Sequence, residues 1–111
     1  MAKFGITVSD RNGANAVVKL AGAMETADLT RMEDEFNKLF EAGVTALAVN
    51  VAELESLTSA GFGSIVNLSR ILRTRKGRFA ITSGRPEFLE LIELLGLQDE
   101  FDLAENMGGA R

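Results

Sequence analysis

Strand-like and helix-like patterns of apolar residues alternate along this 111-residue chain, and only short polar links separate them. Five segments show the two-residue period or the short apolar runs of strands, and three show the spacing of an amphipathic helix. The order is ββαβαβαβ. It predicts an α/β fold, with a mixed, mostly parallel sheet of about five strands, an N-terminal antiparallel hairpin, and helices packed against the sheet.

Turn and capping residues give the boundaries of these elements. Asn12 and Gly13 predict the hairpin turn, and Pro86 suits the first turn of the third helix, where a missing amide hydrogen costs nothing. The predicted strands cover residues 4–9, 16–21, 45–51, 78–82 and 101–103. The first helix is predicted to have Thr26 or Asp28 as its N-cap and Gly43 as its C′ residue. The second is predicted to begin at about Ala60 and to be capped by Gly77. The third is predicted to begin at Pro86 and to be capped by Gly96.

The third predicted strand and the polar stretch behind it are the most informative part of the chain. Residues 45–51 form a nearly unbroken apolar run, which predicts a central strand covered on both faces. Residues 53–64 then indicate a short loop and the start of a helix, with polar side chains and two glycines. Open α/β sheets usually hold their functional loops at the carboxyl ends of such strands. We therefore expect the functional site around residues 53–64.

The composition excludes several kinds of chemistry. The chain contains no cysteine and no histidine, so it lacks a thiol nucleophile, the usual zinc ligands, the usual general base and any Ser-His-Asp triad. We therefore expect no enzymatic activity, no cofactor and no metal site. The length and the 46% apolar composition predict a single domain over residues 1–111, with a polar tail from about residue 104.

Charge and hydropathy narrow the choice of partner. A net charge of -4 argues against nucleic acid. No apolar run approaches the ~18 residues of a membrane span, and neither a signal peptide nor a cysteine is present, so we expect a cytoplasmic protein that is not embedded in a membrane. A group of basic residues lies at and just after the end of the second helix. It is interpreted either as solvated cations at a helix C-terminus or as a patch that binds an acidic protein surface or anionic headgroups. It consists of Arg70, Arg73, Arg75, Lys76 and Arg78.

The stretch from 53 to 64 departs from the known phosphate-binding and nucleophile motifs. No lysine follows Gly61 and Gly63 as a P-loop requires, and these glycines with Val66 match only part of a dinucleotide fingerprint. They are explained as well by a helix that begins close to the sheet. Ser59 lies outside any G-x-S-x-G motif and has no histidine to activate it, which argues against hydrolysis. Binding of a small anion or nucleotide at the helix end remains an alternative.

Ser59 is the candidate functional residue of this stretch. As the N-cap of the second helix, it would stabilise the fold by ~1 kcal/mol. As a phosphorylation site, it would gain about -1.5 to -2 charges, which the helix end tolerates but an acidic partner repels.

Three motifs together resemble the STAS domain, and within it the bacterial anti-sigma-factor antagonists. Residues 22–25, Gly-Ala-Met-Glu, look like the family's G-x-L-D. Residues 57–63 look like its D-S-S/A-G-L-G, and residues 88–97 look like its closing helix. The resemblance covers nearly the whole chain and implies the STAS-like (βα)n superhelix.

The resemblance also implies a function. The unphosphorylated domain would bind an anti-sigma factor with serine kinase activity and a GHKL-type ATPase fold, releasing the sigma factor, and phosphorylation at Ser59 would reverse the binding. Two residues differ from the family's pattern: Thr58, a further candidate acceptor, replaces an aspartate, and Glu25 is one methylene longer than the other aspartate. The alternative is an accessory or scaffold STAS module of a stressosome-type complex or a lipid-transporting ABC system.

The expected contact surface gathers residues at the carboxyl ends of the strands and along the second helix. Ser83 to Pro86 would join it in a parallel sheet. The spacing of Phe62 predicts a core position, with an aromatic anchor for a partner as the alternative. The predicted partner-binding residues are Glu25, Thr26, Ser56, Thr58, Ser59, Ala60, Gly61, Phe62, Gly63, Asn67 and Arg70.

Overall fold

One mixed sheet and two helices make up most of the described structure. A computed structural model describes residues 3–84, Pro86, Glu90, Leu94 and residues 102–104. The strands in these residues are β1 (Gly5–Asn12), β2 (Asn15–Ala23), β3 (Ala46–Ser56), β4 (Arg78–Thr82) and β5 (Asp102–Ala104), and the helices are α1 (Leu29–Glu41) and α2 (Ser59–Thr74). The strands lie in the order β1-β2-β3-β4-β5, with β1 antiparallel to β2 and every later pair parallel. The predicted sheet and its N-terminal hairpin are confirmed.

Two of the predicted elements fall largely outside the described residues. The third helix, predicted over residues 86–97, contributes only the single helical positions Pro86, Glu90 and Leu94 to the described set. The predicted polar tail lies outside it from residue 105 onward. The motif at residues 88–97 therefore stays a prediction.

The two faces of the sheet have different environments. Because the strands follow one another in order and parallel crossovers are right-handed, α1 and α2 pack on the same face, here called the helix face. Val18, Leu20 and Val49 on this face are fully buried. The opposite face, here called the second face, carries the alternate side chains of the strands. They include Asp10, Val17, Lys19, Ala46, Ala48, Asn50, Arg78, Ala80 and Thr82.

The prediction that β3 is covered on both faces is wrong for the described part of the chain. Leu47, Val49 and Val51 are at most 2% exposed on the helix face. Ala46, Ala48 and Asn50 alternate with them on the second face and are only half-buried. The run does have a two-residue period, with large apolar residues on one face and mostly alanine on the other. The sequence pattern hides this period because alanine counts as apolar, although its small side chain can remain half-buried on an open face.

β3 is also longer than the sequence indicated. It continues to Ser56, so Leu57 and Thr58 alone link it to α2. Residues 53–56 were expected to be a loop because two of them are glutamates. The structure instead pairs Glu53 and Leu54 with Ala21 and Gly22 of β2, and Leu54 is 6% exposed.

The start of α1 agrees with the prediction in position but not in its capping bond, while its end confirms the prediction. A short 3-10 helix, Thr26–Asp28, precedes α1, and Asp28 holds the N-cap position of α1 without a capping hydrogen bond to its side chain. The Asp28 carboxylate instead accepts a hydrogen bond from the Glu25 amide at 2.9 Å. At the other end, Gly43 has φ of 101° and the Val44 amide donates to the Leu39 carbonyl, as in a Schellman motif.

The end of α2 uses a different residue from the one expected. Lys76, with φ of 64°, occupies the left-handed C′ position that was assigned to Gly77. The Gly77 amide donates to the Leu72 carbonyl at 2.9 Å. Glycine is required at position 77 for space, since a Cβ there would stand 2.4 Å from the Thr45 carbonyl oxygen.

Candidate functional site

The N-terminus of α2 is capped by Thr58, the residue before the candidate serine. Thr58 has an extended backbone, and its Oγ1 accepts a hydrogen bond from the Gly61 amide at 2.9 Å. Its carbonyl accepts from the Phe62 amide at 3.0 Å, which is the first bond of the helix. The hypothesis that Ser59 serves as the N-cap is therefore wrong. A threonine and a serine in succession could each cap a helix, and the residue at which the helix begins decides between them.

Ser59 is the first residue of α2, and its side chain is exposed. Because Thr58 satisfies the Gly61 amide, the Ser59 hydroxyl is not needed for capping. Helix N-termini also carry a partial positive charge. This hydroxyl is thus accessible, adjacent to a positive helix end, and dispensable for the local structure.

The loop after β2 lies against the start of α2. Gly22 has φ of 81° next to a β-bulge in the pairing of β2 with β3, and few other residues adopt that backbone conformation. The Met24 amide then donates to the Ser56 carbonyl at 2.9 Å. Met24 is 2% exposed, and Glu25 and Thr26 follow it at the surface. Two of the three resembling motifs, residues 22–25 and 57–63, therefore meet in the fold.

The two glycines of α2 have different environments. A Cβ on Gly61 would stand 2.5 Å from the Met24 sulfur, so glycine at this position lets α2 approach the loop after β2. A Cβ on Gly63 would meet nothing within 4 Å, and Gly63 is exposed. The expectation was that these glycines let the helix begin close to the sheet. At Gly61 the close approach is to the loop after β2, and Gly63 has no such contact.

Part of the predicted contact set forms an exposed stripe on α2. Ser59, Gly63, Asn67 and Arg70 are all exposed and recur at intervals of four, four and three residues, which is one side of a helix. The eleven residue steps from Ser59 to Arg70 span about 16 Å of helix. Ala60 is exposed beside Ser59. We call Ser59, Ala60, Gly63, Asn67 and Arg70 the α2 stripe.

Other members of the predicted set lie beneath or beside the α2 stripe. Phe62 is 6% exposed and belongs to the core, as its spacing predicted, and Gly61 is buried as well. Ser83 is exposed with φ of 60°. The loop that contains it is set back from Ser56, because β4 ends opposite Asn50 while β3 continues for six more residues.

Charges of both signs lie near this end of the sheet, since Lys3 and Arg31 line one cavity with Glu25. Glu25 and Glu55 are exposed there. Glu53 forms an ion pair of 2.8 Å with Lys19 on β2. Arg75 belongs to the basic group at the C-terminal end of α2, about one helix length from Ser59. Its guanidinium carbon lies 5.9 Å from the centre of the Phe40 ring.

A partly buried polar contact that the sequence gave no reason to expect joins α2 to α1 beneath the site. Ser64 is 8% exposed, and its Oγ donates a hydrogen bond of 2.5 Å to Glu33 Oε2 on α1. This bond joins the second turn of α2 to the middle of α1. The helical spacing places Glu33 on the polar side of α1, and a partner on another element cannot be seen in such a pattern.

The described residues show no further chemistry at this site. They contain no cluster of three or more acidic side chains that could hold a metal ion. No helix among them is both long and apolar enough to cross a membrane.

Comparisons with known proteins agree with this architecture. The structure of an anti-sigma factor antagonist from Mycobacterium paratuberculosis superposes with a TM-score of 0.77 at 23% identity, over 91% of this chain and 85% of that one. SpoIIAA in its unphosphorylated form gives 0.74 at 18% identity, over 92% and 88%. The phosphorylated form of the Bacillus cell fate determinant SpoIIAA gives 0.72 at 19% identity, over 92% and 91%. At these identities, the likeness establishes the fold.

The family itself is shown by sequence. No curated protein sequence matches the chain significantly. A family model described as the MlaB STAS domain matches residues 7–105, a range that includes β2 to β5 and the stretch around Ser59. This chain therefore belongs to the MlaB STAS domain family.

Proposed function

We propose that this chain is a cytoplasmic anti-sigma-factor antagonist. Its unphosphorylated form binds an anti-sigma factor with serine kinase activity and releases the sigma factor, and phosphorylation of Ser59 reverses the binding. The observation that carries the proposal is the exposed Ser59 hydroxyl at the first residue of α2, outside the helix cap. It is supported by the names of the similar structures, an anti-sigma factor antagonist and a phosphorylated SpoIIAA.

Ser59 is a better acceptor than the neighbouring Thr58. The Thr58 oxygen already accepts the hydrogen bond from the Gly61 amide, and the side chain is only half exposed. A kinase would have to break the cap to reach it, at a cost of about 1 kcal/mol. The Ser59 oxygen is available without any local unfolding.

A phosphate on Ser59 changes the surface more than the fold. It adds about -1.5 to -2 charges at a helix N-terminus, where anions are favoured, so α2 should persist. Glu25 follows Met24, whose amide donates to the Ser56 carbonyl beside the start of α2, so the phosphate adds negative charge to a region that already holds a carboxylate. A partner that docks on the small side chains of the α2 stripe then loses contact through desolvation and repulsion.

The proposal is tested in two steps, by identifying the binding partner and then by measuring whether that partner phosphorylates Ser59. The purified chain is used to capture partners, and the captured kinase is incubated with the chain and ATP. We expect one phosphate on Ser59 by mass spectrometry, none on Ser59→Ala, and a weaker complex for Ser59→Asp. Thr58→Ser keeps a capping hydroxyl and serves as the matched control, which should be modified normally. Modification at another residue, or a complex unaffected by Ser59→Asp, contradicts the proposal.

A second candidate is an accessory STAS module of a stressosome-type complex or a lipid-transporting ABC system. It is favoured by the family model, which is named for MlaB rather than for an antagonist, and by Thr58 in place of the acidic residue. In this role, the α2 stripe is a permanent interface. Copurification with a transporter ATPase or in a very large assembly, unchanged by ATP, distinguishes it from the first candidate.

A further inference from the structure

The second face of the sheet has small apolar side chains at its centre. Val17, Ala48 and Ala80 stand side by side on β2, β3 and β4, and all three are half-buried. They help to line a shallow cavity of about 260 Å³. No element of the described part of the chain packs over them. Another sheet could do so at the usual spacing of about 10 Å.

Charges of opposite sign flank this apolar centre. Asp10 on β1 is paired with Val17, and Arg78 on β4 is paired with Ala46. Both are exposed, and both line the same cavity. β1 and β4 are three strand spacings apart, about 14 Å. The acid and the base therefore stand on opposite sides of the centre.

This charge pattern is self-complementary in one arrangement of two copies. A two-fold axis parallel to the strands, between β2 and β3, places β1 of each copy over β4 of the other. Asp10 is then level with Ala80 of the second copy, two residues or about 7 Å along the strand from Arg78, which is within reach of an arginine side chain. The two-fold axis creates a second, identical pair. An axis perpendicular to the strands places β1 over β1 and β4 over β4, so Asp10 of one copy lies on the side of the face opposite to Arg78 of the other, and at the level of Asp10 like charges are opposed.

We propose that two copies of this chain associate through their second faces about a two-fold axis parallel to the strands. Val17 of each copy packs on Ala48 of the other, and Asp10 pairs with Arg78 at both ends. Lys19, also on this face, keeps its ion pair with Glu53. Because α1 and α2 lie on the helix face, the dimer leaves Ser59 accessible and presents two copies of the α2 stripe.

The size of the face sets the strength of the association. Four strands and three rows of side chains cover about 20 by 20 Å, or roughly 400 Å² per copy. Stable interfaces bury about 800 Å² per partner. The dimer is therefore weak and depends on concentration.

Sedimentation equilibrium of the full chain from about 1 µM to about 1 mM tests the proposal. The expected mass rises from 11.9 kDa toward twice that value. Asp10→Arg and Arg78→Asp should each weaken association by about tenfold, and the double exchange should restore most of it, because the pair is only inverted. Glu41→Arg, the same kind of charge change on α1, is the matched control and should have no effect.

A second pair of measurements locates the interface. Ala48→Glu places a charge at the centre and should abolish the dimer. If that variant does not fold, the charge exchange decides, since both of its positions are exposed. Amide NMR shifts that change with concentration should lie at Val17, Ala48 and Ala80. A monomer at about 1 mM, no rescue by the double exchange, or shifts confined to α2 or to the outer edge of β1 overturns the proposal.

Discussion

The Thr58 hydroxyl oxygen and the Gly61 amide are joined by a hydrogen bond of 2.9 Å, and this bond separates two roles that the sequence alone left combined. One hydroxyl stabilises the start of α2, and the next one along the chain is exposed to solvent. The structural role and the proposed regulatory role can therefore be tested by mutating neighbouring residues.

Thr58→Ala should lower the free energy of unfolding by about 1 kcal/mol, because the Gly61 amide loses its acceptor. Thr58→Asp should stay within about 0.5 kcal/mol of the wild type, since aspartate caps helices as well as threonine does. Ser59→Ala is the control and should also change stability by less than about 0.5 kcal/mol. Urea unfolding measures all three. A larger loss for Ser59→Ala than for Thr58→Ala would mean that Ser59 is the cap.

Lys76 should be replaceable by glycine with a gain in stability. Lys76 has φ of 64°, a left-handed conformation that is unfavourable by roughly 1 kcal/mol for a residue with a Cβ and is not unfavourable for glycine. Lys76→Gly should therefore raise the free energy of unfolding by about 0.5 to 1 kcal/mol. Lys76→Ala removes the same charge but keeps a Cβ, so it should give no comparable gain. Equal gains for both variants would trace the effect to charge.

The periodic parts of the sequence predicted the architecture well. Hydrophobic spacing gave the order of the five strands and the first two helices, the hairpin and the bounds of β4, because each depends on local alternation between buried and exposed positions. β3 was predicted too short because the polar residues from Glu53 onward indicate a loop by composition. The pairing of Glu53 depends on Ala21 of β2, about thirty residues earlier.

The site was predictable in outline but not in its atomic roles. Gly61 and Gly63 look alike in sequence, and only the approach of Met24, distant along the chain, shows which of them the fold requires. The choice of Thr58 over Ser59 as the cap depends on a shift of one residue in the helix start, which is finer than a hydrophobic pattern can resolve. The Ser64–Glu33 contact joins two helices and leaves no local signal.

That contact should couple α1 to α2 energetically. Ser64→Ala should destabilise the fold by about 1 to 2 kcal/mol, below the upper range for a hydrogen bond to a charged group, because Glu33 is half exposed and can be rehydrated. In a double-mutant cycle with Glu33→Ala, we expect a coupling of about 1 kcal/mol. The cycle for Glu35 and Lys38, an exposed pair 3.6 Å apart on α1, is the comparison and should give less than about 0.5 kcal/mol. Equal couplings in the two cycles would argue against a structural role for Ser64.

Gly63 offers the clearest separation of stability from binding. Glycine inside a helix is less stable than alanine by about 0.5 to 1 kcal/mol, and nothing in the described fold occupies the space beside Gly63. Gly63→Ala should therefore stabilise the chain by that amount in urea unfolding. If a partner docks closely on the α2 stripe, the added methyl group should also weaken the complex with the captured partner.

Gly61→Ala is the matched control, since it adds the same methyl group two residues earlier in α2. Its Cβ would meet the buried Met24 sulfur at 2.5 Å, so this variant should lose about 1 to 3 kcal/mol of stability. Opposite changes in unfolding free energy, with weaker binding for the stabilised Gly63→Ala, would mean that position 63 is glycine for the sake of a partner. Unchanged affinity of Gly63→Ala would exclude close docking at position 63 and confine the interface to the start of α2 around Ser59.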